Sequence, residues 1–568
     1  MILSSPERIQ DYTSRGWWEG RTLDDLFAAQ TAAGADRLAL LDPPNRGAIC
    51  GGAPRRLTYG ALGGLVDRLA SVLLEQGVGK DDIVAVQLPN IAELVALYLA
   101  ATRIGAILAP FPVQYRSFEL TQLGRFIEPR IFITAARIGD QPRAAQVVEL
   151  RAAIPSLRAV LALGEAVPDG AQSLDAALAR PADGDRLAAH RARHPVGAND
   201  IATLCFTSGT TGVPKGVPRS HNEWVAIAHA SVEGARMRPG IRLLNPFPLV
   251  NMAGIGGMIV PWLISGGILI NHHPLDLAVF LGQIAAERPE YTVAPPTLLT
   301  MLLKNEALLA KADLSSLRII GSGSAPLPPS MVKAYQERFG IAVTNVFGSN
   351  EGVCLLSGAD DFPDPEQRAQ YFPRFGVPRF EWRLRAGQMQ RTRLVALESG
   401  IEIEEPGLPG ELRIKGPMVF AGYWRNPEAD AAAFDNDGFF RTGDMFEIAG
   451  DAAGAPRYYR FVGRCKDLII RGGMNIAPEE VEALLAGHPG IAEVAVVGYP
   501  DEIMGERTRA VIVPRGQPAP TLPALVAFLE ELGIAKYKLP ERLDCVPALP
   551  RNPVGKVLKD ELRRTFRP

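Results

Sequence analysis

The chain has 568 residues, 47% of them hydrophobic, which is enough for large buried cores and too long for one ordinary domain. Its 60 Lys and Arg balance 62 Asp and Glu, which argues against a nucleic-acid footprint spread over the surface and favours small-molecule chemistry. The 5 cysteines stand far apart with no CxxC pair, excluding an obvious zinc ligand set or disulfide framework and suiting reduced thiols in a cytoplasmic protein.

The first residues, "MILSSPERIQDY", place Glu7 and Arg8 where a secretory signal needs apolar side chains, so no targeting segment is expected. From Tyr59 to Gln76, Leu62, Leu65, Val66, Leu69, Val72 and Leu73 recur with a helical period, and Gly77 stands where that helix would stop. "IVAVQL" then reads as a strand, "IAELVALYLAATRIG" as a second helix and "AILAP" as another strand. Such alternation predicts a covered, mainly parallel sheet.

The next distinctive stretch is "TSGTTGVPKG", which follows the apolar run "IATLCF". Its backbone N–H groups, hydroxyls and lysine could cradle phosphate oxygens, which makes a nucleotide the first suspect. It is not a P-loop, because Pro214 precedes Lys215 and Gly216 follows it, where that motif needs glycine and a hydroxyl. Between Leu243 and Pro274 there is no Asp, Glu, Lys or Arg, but prolines and glycines interrupt the run. Its longest apolar piece falls short of the roughly 20 residues of a membrane span, so it reads as buried core and pocket wall.

"GILIN", "YTVAP" and "LRIIGSG" continue the strand pattern, giving a large α/β body over residues 1–463. Beyond it the texture changes. "VAVVGYP" and "RAVIVP" look like short strands and "LPALVAFLEELG" like a helix, so residues 464–568 suit a small α+β domain behind the charged junction "GRCKD". No internal repeat or low-complexity tract is apparent.

Four later clusters, "NVFGSNEG", "FRTGD", "GRCKDLIIRGGMNIAPEEVE" and "NPVGKVLK", join the glycine-rich stretch. In order and spacing they resemble the signature motifs of the adenylate-forming superfamily of acyl- and aryl-CoA synthetases, peptide-synthetase adenylation domains and luciferases. The resemblance runs over nearly the whole chain. "GWWEGRTLDDLF", "PRSHNEW", "GIAKYKLPERLDCV" and "LPRNPVGKV" are closer still to stand-alone aryl-acid-activating enzymes of the 2,3-dihydroxybenzoate-AMP ligase branch.

That resemblance implies ATP-dependent activation of a carboxylic acid with Mg²⁺, then transfer to the thiol of CoA or of a carrier-protein phosphopantetheine. It implies that Thr207, Ser208, Gly209, Thr210, Thr211, Gly212 and Lys215 form a mobile phosphate-binding loop. Glu351 would hold Mg²⁺, although Asn350 departs from the threonine usual before it. Phe347 would stack on adenine, Asp444 would accept the ribose hydroxyls and Arg464 would reach ribose or phosphate. Lys556 would carry its charge to the carboxylate and the α-phosphate. Lys466 would be the hinge of a rotating small domain, with Gly472 and Gly473 at a thiol tunnel.

The acid pocket would involve Asn251, Met252, Gly256, Gly323, Ser324 and Ala325. The aryl-acid branch carries His-Asn-Tyr at the first of these positions and a serine where Gly256 stands here. With Val250 and Met252 flanking Asn251, an acid without ring hydroxyls is expected. Three functions follow from the residues: a CoA ligase, an adenylating enzyme that charges a carrier protein, and an idle nucleotide-binding homologue. Retention of Lys556, Glu351 and Asp444 speaks against the last.

Overall fold

A computed structural model describes residues 1–207, 215–397, 399–451, 454–464, 469–476, 478–550 and 557–566. Among them the strands form four sheets. The helix Tyr59–Glu75 starts where the Thr58 side chain accepts the Ala61 N–H, and it ends before Gly77, whose φ of 74° suits a residue without Cβ. Leu62, Leu65, Val66, Leu69, Val72 and Leu73 are all buried. The strand Ile83–Gln87 is buried throughout, and the helix Ala92–Ile104 is buried on nearly every side before Gly105 ends it in the left-handed region.

This strand joins a seven-stranded sheet whose pairs are parallel up to the last, where Ile201–Thr207 and Lys215–Ser220 form an antiparallel hairpin. An eight-stranded sheet has a parallel centre running Ile319–Gly323, Tyr291–Val293, Arg242–Asn245 and Ile268–Asn271, with antiparallel pairs at both edges. Parallel centres of this kind leave a crevice outside the carboxyl ends of their strands. A six-stranded antiparallel sheet contains Pro409–Lys415, Phe440–Ala449 and Tyr458–Arg464. The uncharged region packs inside: Ile255, Met258, Ile259, Val260, Trp262 and Leu263 are buried, and Ile255–Ile259 takes one π turn, a form common near functional sites.

The fourth sheet draws its strands from Ile469 onward and pairs with the helices Pro478–Leu485 and Leu522–Glu531. Its hairpin, Ile491–Asp501 with Gly505–Pro514, runs well past the apolar cores that mark it in the sequence. Polar residues such as Glu506 and Thr508 sustain the pairing because backbone hydrogen bonds, not side-chain hydropathy, carry it there. Residues 533–538 pack on residues 115–119: the Ala535 N–H donates to Glu119 at 2.8 Å, and the buried Lys538 ammonium lies 2.8 Å from Glu480 and 3.5 Å from Glu119. Cys50, Cys205, Cys354 and Cys545 are free thiols, while Cys465 lies outside the described residues. Among the described residues no helix is long and apolar enough to cross a membrane.

Candidate active site

Thr207 and Lys215 are register partners across the antiparallel hairpin. The glycine-rich stretch therefore joins strand to strand, whereas a P-loop joins strand to helix. Ser208, Gly209, Thr210, Thr211 and Gly212 lie outside the described residues, as do Lys466 and Lys556. The Lys215 ammonium stands 4.5 Å from the centre of the Tyr423 ring, within cation–π range.

Tyr423 in turn donates its hydroxyl to Glu351 Oε1 at 3.0 Å. Burial, reinforced by the neighbouring Glu351 carboxylate, raises the phenol's pKa far above its ordinary value, so the group acts as a donor. Glu351 sits in a tight turn in which Ser349 N–H reaches Val353 O and Gly352 N–H reaches Ser349 O. Gly352 has a φ of 100°, and a Cβ there would lie 1.8 Å from Met418 O, so only glycine fits. The fully buried Arg219 pins the same turn, donating to Asn350 O at 3.0 Å and to Met418 O at 2.6 Å. Phe420 N–H closes on Glu351 O at 2.8 Å.

Only 8% of Glu351 is exposed; its carboxylate accepts the Tyr423 hydroxyl and its carbonyl oxygen accepts the Phe420 N–H. Among the described residues no group of three or more His, Cys, Asp or Glu could hold a metal alone. One carboxylate with nucleotide oxygens completing the shell is the usual way Mg²⁺ is bound, and Glu351 fits that role. Phe347 lies at the mouth of an aromatic cluster, with its ring 5.0 Å from Phe446 and 5.8 Å from Phe372. Asp444 and Arg464 are register partners on adjacent strands, and Thr442 Oγ1 accepts the Asp444 N–H at 3.1 Å.

Among the residues expected at the acid pocket, the Asn251 side-chain oxygen accepts the Gly254 N–H at 3.2 Å and caps the short helix Met252–Gly254. A Cβ at Gly256 would meet Ile227 Cγ2 at 2.9 Å, Met252 Sδ at 3.1 Å and Trp224 Cζ3 at 3.1 Å. The space a longer side chain would use is already filled by apolar atoms. Gly323 is needed where a Cβ would lie 2.1 Å from Val346 O. Ser324, exposed and at a φ of 71°, follows it, and Ala325 is half-buried. Gly473, at a φ of 81°, comes from the fourth sheet's side to the same place: a Cβ there would lie 3.9 Å from Ser324 Cβ. Gly472 faces elsewhere, since its Cβ would meet Met504 Cε at 2.6 Å.

Thus Lys215 and Glu351 meet through Tyr423, Met252 and Gly256 meet against Trp224, and Gly473 meets Ser324. Sequence reasoning had passed over Tyr423, Arg219, Trp224 and Ile227. Arg219 and Trp224 do sit in the stretch "PRSHNEW", but nothing local marks their partners.

A hairpin that ends at Lys215, linked through Tyr423 to a nearly buried glutamate in a large α/β body, is the arrangement expected of an adenylate-forming enzyme. The chain belongs to the AMP-binding enzyme family: the family's signature matches residues 27–424 and its C-terminal domain matches residues 480–556. It is similar to the 2,3-dihydroxybenzoate-AMP ligase of Bacillus subtilis, with 30% identity covering 99% of this chain and 96% of that one. The indoleacetate–CoA ligase of Aromatoleum aromaticum is 34% identical over 90% of this chain and 93% of its own. In structure the chain resembles the amide bond synthetase McbA from Marinactinospora thermotolerans, with 26% identity, a TM-score of 0.77, and 95% and 100% of the two chains covered. It is an AMP-forming ligase that activates a carboxylic acid as its adenylate.

Proposed function

We propose that the protein converts a cyclic, aromatic or medium-length acid lacking ring hydroxyls into its CoA thioester by way of the acyl-adenylate. The acid's carboxylate oxygen attacks the α-phosphorus of ATP and pyrophosphate leaves; the thiol sulfur then attacks the acyl carbon and AMP leaves. In the first half-reaction Lys215 and Lys556 place positive charge on the phosphates and carboxylate, where negative charge accumulates. Glu351, aligned by Tyr423, would hold Mg²⁺, which supplies further charge stabilisation when bound. Phe347, Asp444 and Arg464 would seat adenine and ribose, and residues 464–568 would turn between the present placement of Gly473 beside Ser324 and one that brings Lys556 to the carboxylate.

The observation that carries the choice of acid is the filled space at Gly256. A substrate hydroxyl pointing there would meet Trp224, Ile227 and Met252, and an unpaired buried hydroxyl costs roughly 1–3 kcal/mol. The likeness to 2,3-dihydroxybenzoate-AMP ligase favours a second reading, an aryl-acid enzyme that charges a carrier-protein phosphopantetheine. ATP–pyrophosphate exchange with benzoate, cyclohexanecarboxylate, hexanoate, salicylate and 2,3-dihydroxybenzoate, followed by thioester analysis with and without CoA, separates the two. The first three acids should exchange best and give CoA thioester. Preference for an ortho-hydroxylated acid, with no product on CoA, would replace the first reading by the second. Absence of exchange with every acid in a broad library would remove both.

A further inference from the structure

Asn350 occupies the point where the glutamate turn, the glycine-rich hairpin and the acid pocket meet. Its side-chain Nδ2 donates to Phe206 O at 2.9 Å, and its Oδ1 accepts the Met252 N–H at 2.8 Å. Phe206 directly precedes Thr207, where the glycine-rich stretch begins, and Met252 opens the helix that walls the acid pocket. The neighbouring groups are otherwise engaged: the backbone oxygen of Asn350 is taken by Arg219, and Asn251 caps Gly254 rather than Met252. A hydroxyl at this position would put donor and acceptor on a single atom, whereas the amide presents them on two separated atoms. The threonine expected from the superfamily pattern therefore cannot make this bridge in the same way.

We infer that Asn350 is a positioning residue that couples the nucleotide site to the acid site. Displacement of the strand end at Phe206 by nucleotide is passed through one planar amide to Met252, and displacement of Met252 by acid is passed back. The coupling is reciprocal: whatever factor nucleotide adds to acid affinity, acid adds to nucleotide affinity. This inference rests on the adenylation reading above, since it needs both ligands in one crevice.

The test uses the full-length protein and calorimetric binding of α,β-methylene-ATP with Mg²⁺. The acid is whichever of the five exchanges best with the unaltered protein, and each ligand is titrated alone and in the presence of the other. The unaltered protein should bind the acid at least about fivefold more tightly with the nucleotide analogue present, within the usual range of such couplings. In Asn350→Ala the factor should fall below about twofold, and KM for acid and for ATP should both rise while kcat changes less than either. Asn350→Thr, which keeps a polar group, guards against a folding defect and should retain an intermediate factor. An unchanged coupling factor in both variants, or a rise in only one of the two KM values, would overturn the inference while leaving adenylation intact. Failure of the unaltered protein to exchange with any acid would instead strike at the adenylation reading itself.

Discussion

The packing around Gly256, proposed as the wall of the acid pocket, and the seam between residues 533–538 and 115–119 are both buried, yet they are held by opposite kinds of force. The packing is apolar: a Cβ at Gly256 would meet Ile227, Met252 and Trp224, and Trp224, Ile227, Ile255 and Met258 are buried. The seam is ionic, with Lys538 between Glu480 and Glu119 and 5.4 Å from the Tyr115 ring centre. Close apolar packing registers a change of one methylene, which suits a surface that measures an acid. An ionic cluster loses much when one member is removed but can be taken into water as charged groups, which suits a contact made and broken in a catalytic cycle.

The seam breaks most severely at its centre. Lys538→Met would leave Glu119 and Glu480 buried without their cation, at roughly 3–5 kcal/mol. Guanidinium unfolding should show the loss, and neutralising both carboxylates in the Lys538→Met background should restore much of it. If the midpoint of the single variant stayed where it is, the ammonium would contribute nothing net to the seam.

Movement at the seam is sharpened by separating the half-reactions. Lys556→Ala should lose adenylation by roughly 10²-fold or more, the scale for one charge-stabilising donor, while still converting supplied acyl-adenylate to thioester. Gly473→Leu should do the reverse, because a branched side chain would enter the space beside Ser324 and would have to adopt a φ of 81°. Equal loss of both half-reactions in both variants would argue for one fixed arrangement. On the wall, Gly256→Ser should overpack the pocket at a cost of about 1–3 kcal/mol and leave 2,3-dihydroxybenzoate a poor substrate. A gain in kcat/KM for that acid would mean that the apolar atoms yield and the wall is soft.

Much of the body was legible because a covered parallel sheet writes itself as apolar runs alternating with helical periods, as Ile83–Gln87 and Ala92–Ile104 do. The α/β class followed from that alternation, and the small α+β unit from the change of texture after it. The long hairpin Ile491–Asp501 was half hidden, since its polar end is paired by backbone groups that leave no hydropathy signal. The candidate site was readable as motif residues but not as contacts. Tyr423 lies 72 positions from Glu351, Asn350 reaches 144 positions back to Phe206, and Ala535 reaches 416 back to Glu119. Such partners are set by the topology of separate sheets, which no local spacing encodes.

The smallest effect distinguishes wall from seam by pH. His221 opens the helix His221–Gly234 that carries Trp224 and Ile227, and its Nδ1 accepts the Leu23 N–H at 3.1 Å. Burial, only partly opposed by the charges of Asp200 and Asp25, lowers its pKa from 6.5 to about 4. A folded pKa below the unfolded one means that the unfolded chain takes up a proton first as pH falls, so stability held above about 6.5 declines between there and about 4. At pH 5.5, one unit into that window, this histidine alone should remove about 1.4 kcal/mol. His221→Asn keeps an acceptor for Leu23 N–H without a titrating ring, so its urea midpoint should fall less between pH 7.5 and 5.5 than that of the unaltered protein. Tryptophan fluorescence, to which Trp224 contributes, should report the difference, and hydrogen exchange in Ile491–Asp501 should not. Identical pH slopes for the two proteins would show that the imidazole is protonated in place, and that the pocket wall admits water where the packing argues that it does not.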